Sequence, residues 1–160
     1  MLIRLRPPLF LFALALLLGG CSSLSTLSSL LLGPSKTSVK SVSIRAMPEA
    51  NGNLPTRLDL VFIYESDVAA TLPKTGPEWF RQKTALLLSN PKKLEVAAFE
   101  LPPETTLDPA PLPDRHAKAL TVLAYADYGT AAGQAVINLT PFKRPLLRLD
   151  EDAILVEEQP

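Results

Sequence analysis

From Val39 onward the chain alternates between apolar and polar side chains. Val42, Ile44 and Ala46 share one parity and Ser41, Ser43 and Arg45 the other, which is the two-residue period of a strand with one face in a core. The pattern returns at Leu58, Leu60, Phe62 and Tyr64, while Arg57, Asp59 and Glu65 fall on the opposite face together with Val61 and Ile63. Between the two strands, Pro48-Glu49-Ala50-Asn51-Gly52-Asn53-Leu54-Pro55 joins an Asn-Gly pair to flanking prolines and demands a loop. Further strands are predicted over residues 94–100, 120–128, 134–139, 146–149 and 154–156, with turn-forming segments between most of them. Tyr128-Gly129-Thr130-Ala131-Ala132-Gly133 and Asp150-Glu151-Asp152 each reverse the chain. Prolines at 102, 103, 109, 111 and 113 predict a stiff, extended loop over 102–114 lying on the sheet surface. Many short strands with frequent turns predict an all-β fold, an antiparallel β-sandwich.

One segment breaks the alternation. Thr75-Gly76-Pro77-Glu78 matches a capping box, with Glu three residues after Thr and proline in the first turn. A helix is predicted over 77–88, where Trp79, Phe80, Leu86 and Leu87, with Lys83 among them, make a stripe. Such a stripe faces a core more often than a cofactor, so one short helix packed on the sandwich is expected.

The N-terminus has a different organisation. Arg4 and Arg6 precede an apolar run from Leu9 to Leu18, and Gly19 and Gly20 precede Cys21, the pattern of a cleaved secretory signal peptide over 1–20. The run is shorter than the roughly 20 apolar residues a membrane-spanning helix needs. Leu18-Gly19-Gly20-Cys21 looks like the lipobox of a bacterial lipoprotein, in which Cys21 becomes the acylated first residue. Cys21 is the sole cysteine, so no intramolecular disulfide can form and the thiol is free for acylation. Acyl chains anchor a protein to a membrane without spanning it. Ser22 stands where lipoprotein sorting rules place Asp for inner-membrane retention, which implies delivery to the outer membrane, facing the periplasm. Residues 21–37 are rich in Ser, Thr and Leu and show no lasting period. They read as a flexible tether that reaches roughly 50 Å at ~3.3 Å per residue, leaving 38–160 as the domain. Leu24, Leu27, Leu30, Leu31 and Leu32 also fit a short amphipathic helix, which is marginal in water by itself.

Charge and chemistry exclude more than they suggest. Without Arg4 and Arg6, 14 of the 16 basic side chains remain against 16 acidic ones, so no basic field is available for nucleic acid. Lys92-Lys93 and Lys143-Arg144 read as solvated turns. His116 is the sole histidine, and no Gly-x-Ser-x-Gly elbow accompanies it, so no catalytic triad is expected. His and Cys occur once each, which leaves no zinc-ligand spacing, and phosphate-binding glycine motifs are missing. Glu157-Glu158 reads as a solvated tail. No catalytic residue, metal, cofactor or small-molecule substrate is expected.

The sequence from about Ser38 to Val156 resembles the TssJ family, outer-membrane lipoproteins of type VI secretion systems. The likeness rests on Asn51-Gly52-Asn53-Leu54-Pro55 leading into Leu58-Asp59-Leu60-Val61-Phe62-Ile63-Tyr64, on Phe80 where the family has a buried Phe in the following helix, and on Leu120-Thr121-Val122-Leu123-Ala124-Tyr125-Ala126-Asp127-Tyr128 as its late strand. The family's Trp-Arg in the next strand is missing, since that stretch reads Gly133-Gln134-Ala135-Val136-Ile137. The resemblance implies a transthyretin-like sandwich and a structural role in binding the periplasmic part of the inner-membrane subunit TssM. The family's contact loop maps to 48–56, with Glu49, Asn51, Gly52, Asn53, Leu54 and Pro55 as candidate partner-binding residues. A loop on a rigid sheet can present such groups. The alternative is a periplasmic peptide-binding or chaperone-like lipoprotein that captures a strand at a sheet edge.

Overall fold

The alternating segments fold into two sheets packed face to face, with a helix laid on the outside of one. The structure is a computed structural model in which residues 36–160 are described. The signal peptide expected over 1–20, Cys21 and the expected tether as far as residue 35 lie outside the described residues. β1 (Ser43–Ala46), β2 (Thr56–Ile63), β3 (Leu94–Leu101), β4 (Thr106–Leu107), β5 (Thr121–Ala126), β6 (Ile137–Asn138), β7 (Pro145–Leu149) and β8 (Ile154–Glu158) follow in chain order. One sheet has the order β4-β1-β7-β8 and the other β3-β2-β5-β6. The all-β sandwich read from the alternation is the observed class, with one departure. β1 and β7 run parallel, because the whole second sheet lies between them in sequence and no hairpin turn fixes their relative direction.

β2 shows why the domain has a third layer. Leu58, Leu60 and Phe62 point between the sheets and meet Ile44, Val122, Leu139, Leu147 and Leu149. Val61 and Ile63 point outward, and a strand apolar on both faces needs cover on both. That cover comes from α1 (Ser66–Ala69), a short turn supplying Val68, and from α2 (Gly76–Ser89), supplying Trp79. The helix expected over 77–88 thus forms one residue longer at each end. The capping box expected there does not form: the Thr75 hydroxyl donates to the Glu78 carboxylate at 3.0 Å, and no side chain caps a backbone N–H. Gly76 is required by proximity, since a Cβ there would lie 1.8 Å from the Ala126 carbonyl oxygen.

Three segments differ from the sequence expectation. Within 102–114, expected to lie over the sheet, β4 pairs with β1 and the Ala110 N–H donates to the Val42 carbonyl at 2.8 Å, so the segment extends the first sheet. The strand expected over 134–139 shrinks to β6, because Ala131–Gln134 forms a 3-10 turn in which Gly133 sits against the Tyr128 ring. The Gln134 amide donates to the Tyr128 carbonyl at 2.9 Å and fixes that turn. Trp79, rather than Phe80, is the wholly buried aromatic of α2; Phe80 is half-buried.

Candidate functional site

Strand direction sorts the connections into two ends. β2 starts, and β5, β1 and β7 finish, at the same end, which gathers the 48–55 loop, the segment after β5 and the β7–β8 hairpin. The chain enters the domain at the other end. There the Thr37 N–H donates to the Ala119 carbonyl at 2.8 Å and the Lys40 N–H to the Lys143 carbonyl at 2.8 Å. Thr37, read as the last tether residue, is therefore already hydrogen-bonded to the domain.

The 48–55 loop contains a left-handed turn. Asn51, Gly52 and Asn53 have φ of 51°, 63° and 64°. This conformation is disfavoured by a Cβ and is tolerated by Gly and, through local hydrogen bonding, by Asn. The Gly52 N–H donates to the Glu49 carbonyl at 3.1 Å and the Leu54 N–H to the Asn51 carbonyl at 3.3 Å. Asn-Gly-Asn thus suits this backbone, and hydrogen bonds within the loop close the turn.

Asn51 fastens the turn to its neighbours. Its side chain donates to the Asp127 carbonyl at 3.3 Å and accepts from the Gly129 N–H at 2.8 Å, while its own N–H donates to the Asp150 carbonyl at 3.1 Å. The Tyr128 hydroxyl donates to the Asp150 carbonyl at 2.9 Å, and the Arg148 guanidinium grips both Asp150 carboxylate oxygens at 3.0 and 3.1 Å. Burial, followed by the Asp150 charge, holds the Tyr128 phenol above its usual range, so it remains a donor. Three loops are therefore locked into one surface. On it Glu49, Gly52, Asn53, Leu54 and Pro55 are exposed, Leu54 at 60%, whereas Asn51 is buried at 8%. Of the six candidate residues, five face solvent and Asn51 holds them in place.

A groove of about 330 Å³ adjoins this surface between α2 and the β2–β3 pair, lined by Arg57, Asp59, Phe80, Lys83, Phe99 and Glu100 among others. Arg57 bridges the two features: its guanidinium pairs with Asp127 and lies 4.6 Å over the Phe80 ring. At the groove floor Asp59, 2% exposed, accepts from the Trp79 indole at 2.7 Å and pairs with Lys83 at 2.8 Å. Trp79 stacks on Tyr125 with ring centroids 4.8 Å apart. The polar groups of the floor are thus committed to one another. His116 lies outside the groove, its Nδ1 3.0 Å from the Pro113 carbonyl and its ring edge-on to Phe62. Among the described residues no group of His, Cys, Asp and Glu could hold a metal ion, and no helix is long and apolar enough to cross a membrane.

No family model matches the sequence, and no curated protein matches it. Solved structures do. The type VI secretion lipoprotein TssJ1 from Pseudomonas aeruginosa superposes with a TM-score of 0.52 at 18% identity, over 80% of this chain and 98% of that one. The fold is of the TssJ type. Serratia marcescens Lip, a membrane bound component of the type VI secretion system, superposes with a TM-score of 0.50 at 10% identity, over 75% of this chain and 96% of Lip. A TssJ-type fold accounts for the sheet packing and the outer helix. The identities are too low to carry residue roles across, so the roles here rest on the geometry of this chain.

Sequence reading missed the groove and the Asp59-Trp79-Lys83 cluster. Asp59 shares the outward face of β2 with Arg57 and with apolar Val61 and Ile63, and a carboxylate beside a covered apolar stretch needs partners. Its partners lie about twenty residues on, across a layer that alternation does not reveal.

Proposed function

We propose that this chain is the lipid-anchored outer-membrane subunit of a type VI secretion membrane complex, holding the 48–55 loop into the periplasm for a TssM-like inner-membrane partner. Its role is structural, not catalytic. The observation that carries the reading is the placement of the rigid, exposed loop at the end opposite the chain entry. An acyl anchor on Cys21 would draw the entry end toward the membrane and leave the loop facing away. The TssJ-type fold supports the same assignment, as do the lipobox-like Leu18-Gly19-Gly20-Cys21 and Ser22 after it. At the loop surface Leu54 supplies an apolar anchor, while Glu49 and Asn53 border it with polar groups, the core-and-rim layout of a protein interface.

The test is affinity capture of the native lipoprotein from solubilised membranes. Capture of a large inner-membrane protein, lost in Leu54→Asp while the melting temperature is unchanged, is the expected result. Capture of no such protein, or capture unaffected by Leu54→Asp, Asn53→Ala and Glu49→Ala together, would sink the reading. A second reading, strand capture by a peptide-binding lipoprotein, draws on β3, which lies at a sheet edge. Glu95 and Glu100 put charge along that edge, a device that discourages strand addition. Loss of capture on β3 substitution alone would favour it.

A further inference from the structure

The basic dipeptides read as solvated turns, Lys92-Lys93 before β3 and Lys143-Arg144 before β7, both lie at the end where the chain enters. The Lys143 carbonyl accepts the Lys40 N–H, and the Arg115 guanidinium donates to the Lys92 carbonyl at 3.1 Å. Lys118 closes the 3-10 turn His116–Lys118, next to the Ala119 carbonyl that receives Thr37. Lys36, Lys40, Lys92, Lys118, Lys143 and Arg144 therefore surround the entry point. All six are exposed, and none makes an ion pair among the described residues.

The acids of this end are mostly engaged. Lys93 pairs with Glu65 at 3.1 Å and Asp67 at 3.5 Å, and Glu95 receives the Tyr64 hydroxyl and faces Arg115. Glu158 accepts the backbone N–H groups of Lys143 and Arg144 at 2.8 and 2.7 Å. Asp114 is exposed without an ion pair among the described residues. At the opposite end the exposed charges without an ion pair among the described residues are the acids Glu49, Glu100, Glu104, Glu151 and Asp152 and the cations Arg45 and Lys74, an acidic excess. The domain is close to neutral in sum yet polarised along its length. The C-terminus of α2 also reaches the basic end and leaves Leu88 78% exposed.

We propose that the basic end is a docking surface for anionic phospholipid headgroups, so that the domain stands on the membrane with its acidic, loop-bearing end outward. The proposal rests on the anchored reading above only for how the surface is brought to the membrane. Each cation near an anionic bilayer raises partitioning by roughly fivefold. The engaged acids reduce the total, and added salt weakens it further. A tether that already holds the domain close turns even a modest preference into a fixed orientation.

The test uses protein purified from membranes and reconstituted on vesicles of phosphatidylcholine, with or without phosphatidylglycerol. Amine-reactive labelling of each lysine is read by mass spectrometry. Lys40, Lys92, Lys118 and Lys143 should react several-fold more slowly on the anionic vesicles, with protection lost in high salt, while Lys74 at the far end keeps its rate. Charge reversal at those four lysines should abolish the difference between vesicles in sedimentation at unchanged melting temperature. Equal labelling on both vesicles would overturn the proposal. Flotation with neutral vesicles reads the acyl anchor separately. Protein that floats only with anionic vesicles loses the anchor and keeps the docking surface, and protein that floats with neither loses both.

Discussion

Replacing Asn51 by Ala tests whether one buried amide holds the loop surface together. The substitution removes two side-chain hydrogen bonds, at 3.3 Å to the Asp127 carbonyl and 2.8 Å from the Gly129 N–H. Each is worth about 1 kcal/mol net. Gly129 is exposed, so water recovers part of its bond. Ala must also hold φ near 51° without the local bonding that eases Asn into this region, at about 1 kcal/mol. The sum is a loss of roughly 2–3 kcal/mol. Asn51→Gly loses the same bonds but adopts the left-handed turn freely, so it should be about 1 kcal/mol more stable than the Ala variant. Urea unfolding at constant slope measures both. If the two variants have equal stability the backbone argument fails, and if Ala lies within about 0.5 kcal/mol of wild type the staple fails as well.

Lys83→Met leaves the Asp59 carboxylate buried with the Trp79 indole as its remaining partner, and should destabilise by about 1–3 kcal/mol. Trp79→Phe removes the other donor to the same oxygen, so a double-mutant cycle by thermal unfolding should show clear non-additivity. Gly76→Ala forces α2 away from the Ala126 carbonyl and should cost at least about 1–3 kcal/mol, read as a lowered melting temperature. Tyr64, Tyr125 and Tyr128 all have phenols pushed up, burial being the leading cause in each. In the unfolded chain they ionise near pH 10. The folded state binds more protons above that pH, so stability is level below about pH 10 and falls as pH rises past it. Tyrosinate absorbance should then rise together with loss of the folded circular dichroism signal. A separate tyrosine titration near pH 10 in a still-folded protein would contradict the burial argument.

Local physics made much of the domain readable in one dimension. Alternation at Val42, Ile44 and Ala46, and at Leu58, Leu60 and Phe62, fixed which side chains enter the core, because a strand sends successive residues to opposite faces whatever it pairs with. Thr75, Pro77 and Glu78 marked the helix start, and Asn51-Gly52-Asn53 marked a loop, because capping and left-handed backbone are decided within a few residues. The same arithmetic could not show that β1 runs parallel to β7, that 102–114 extends a sheet, or that Asp59 meets Trp79 and Lys83. Those depend on contacts between residues distant in sequence. Nor could it show that Asn51 points inward while Leu54 points out, or that two basic turns share the end where the chain enters. The sequence determined the elements and the residues of the loop; packing decided which of them hold the surface and which are left to face a partner.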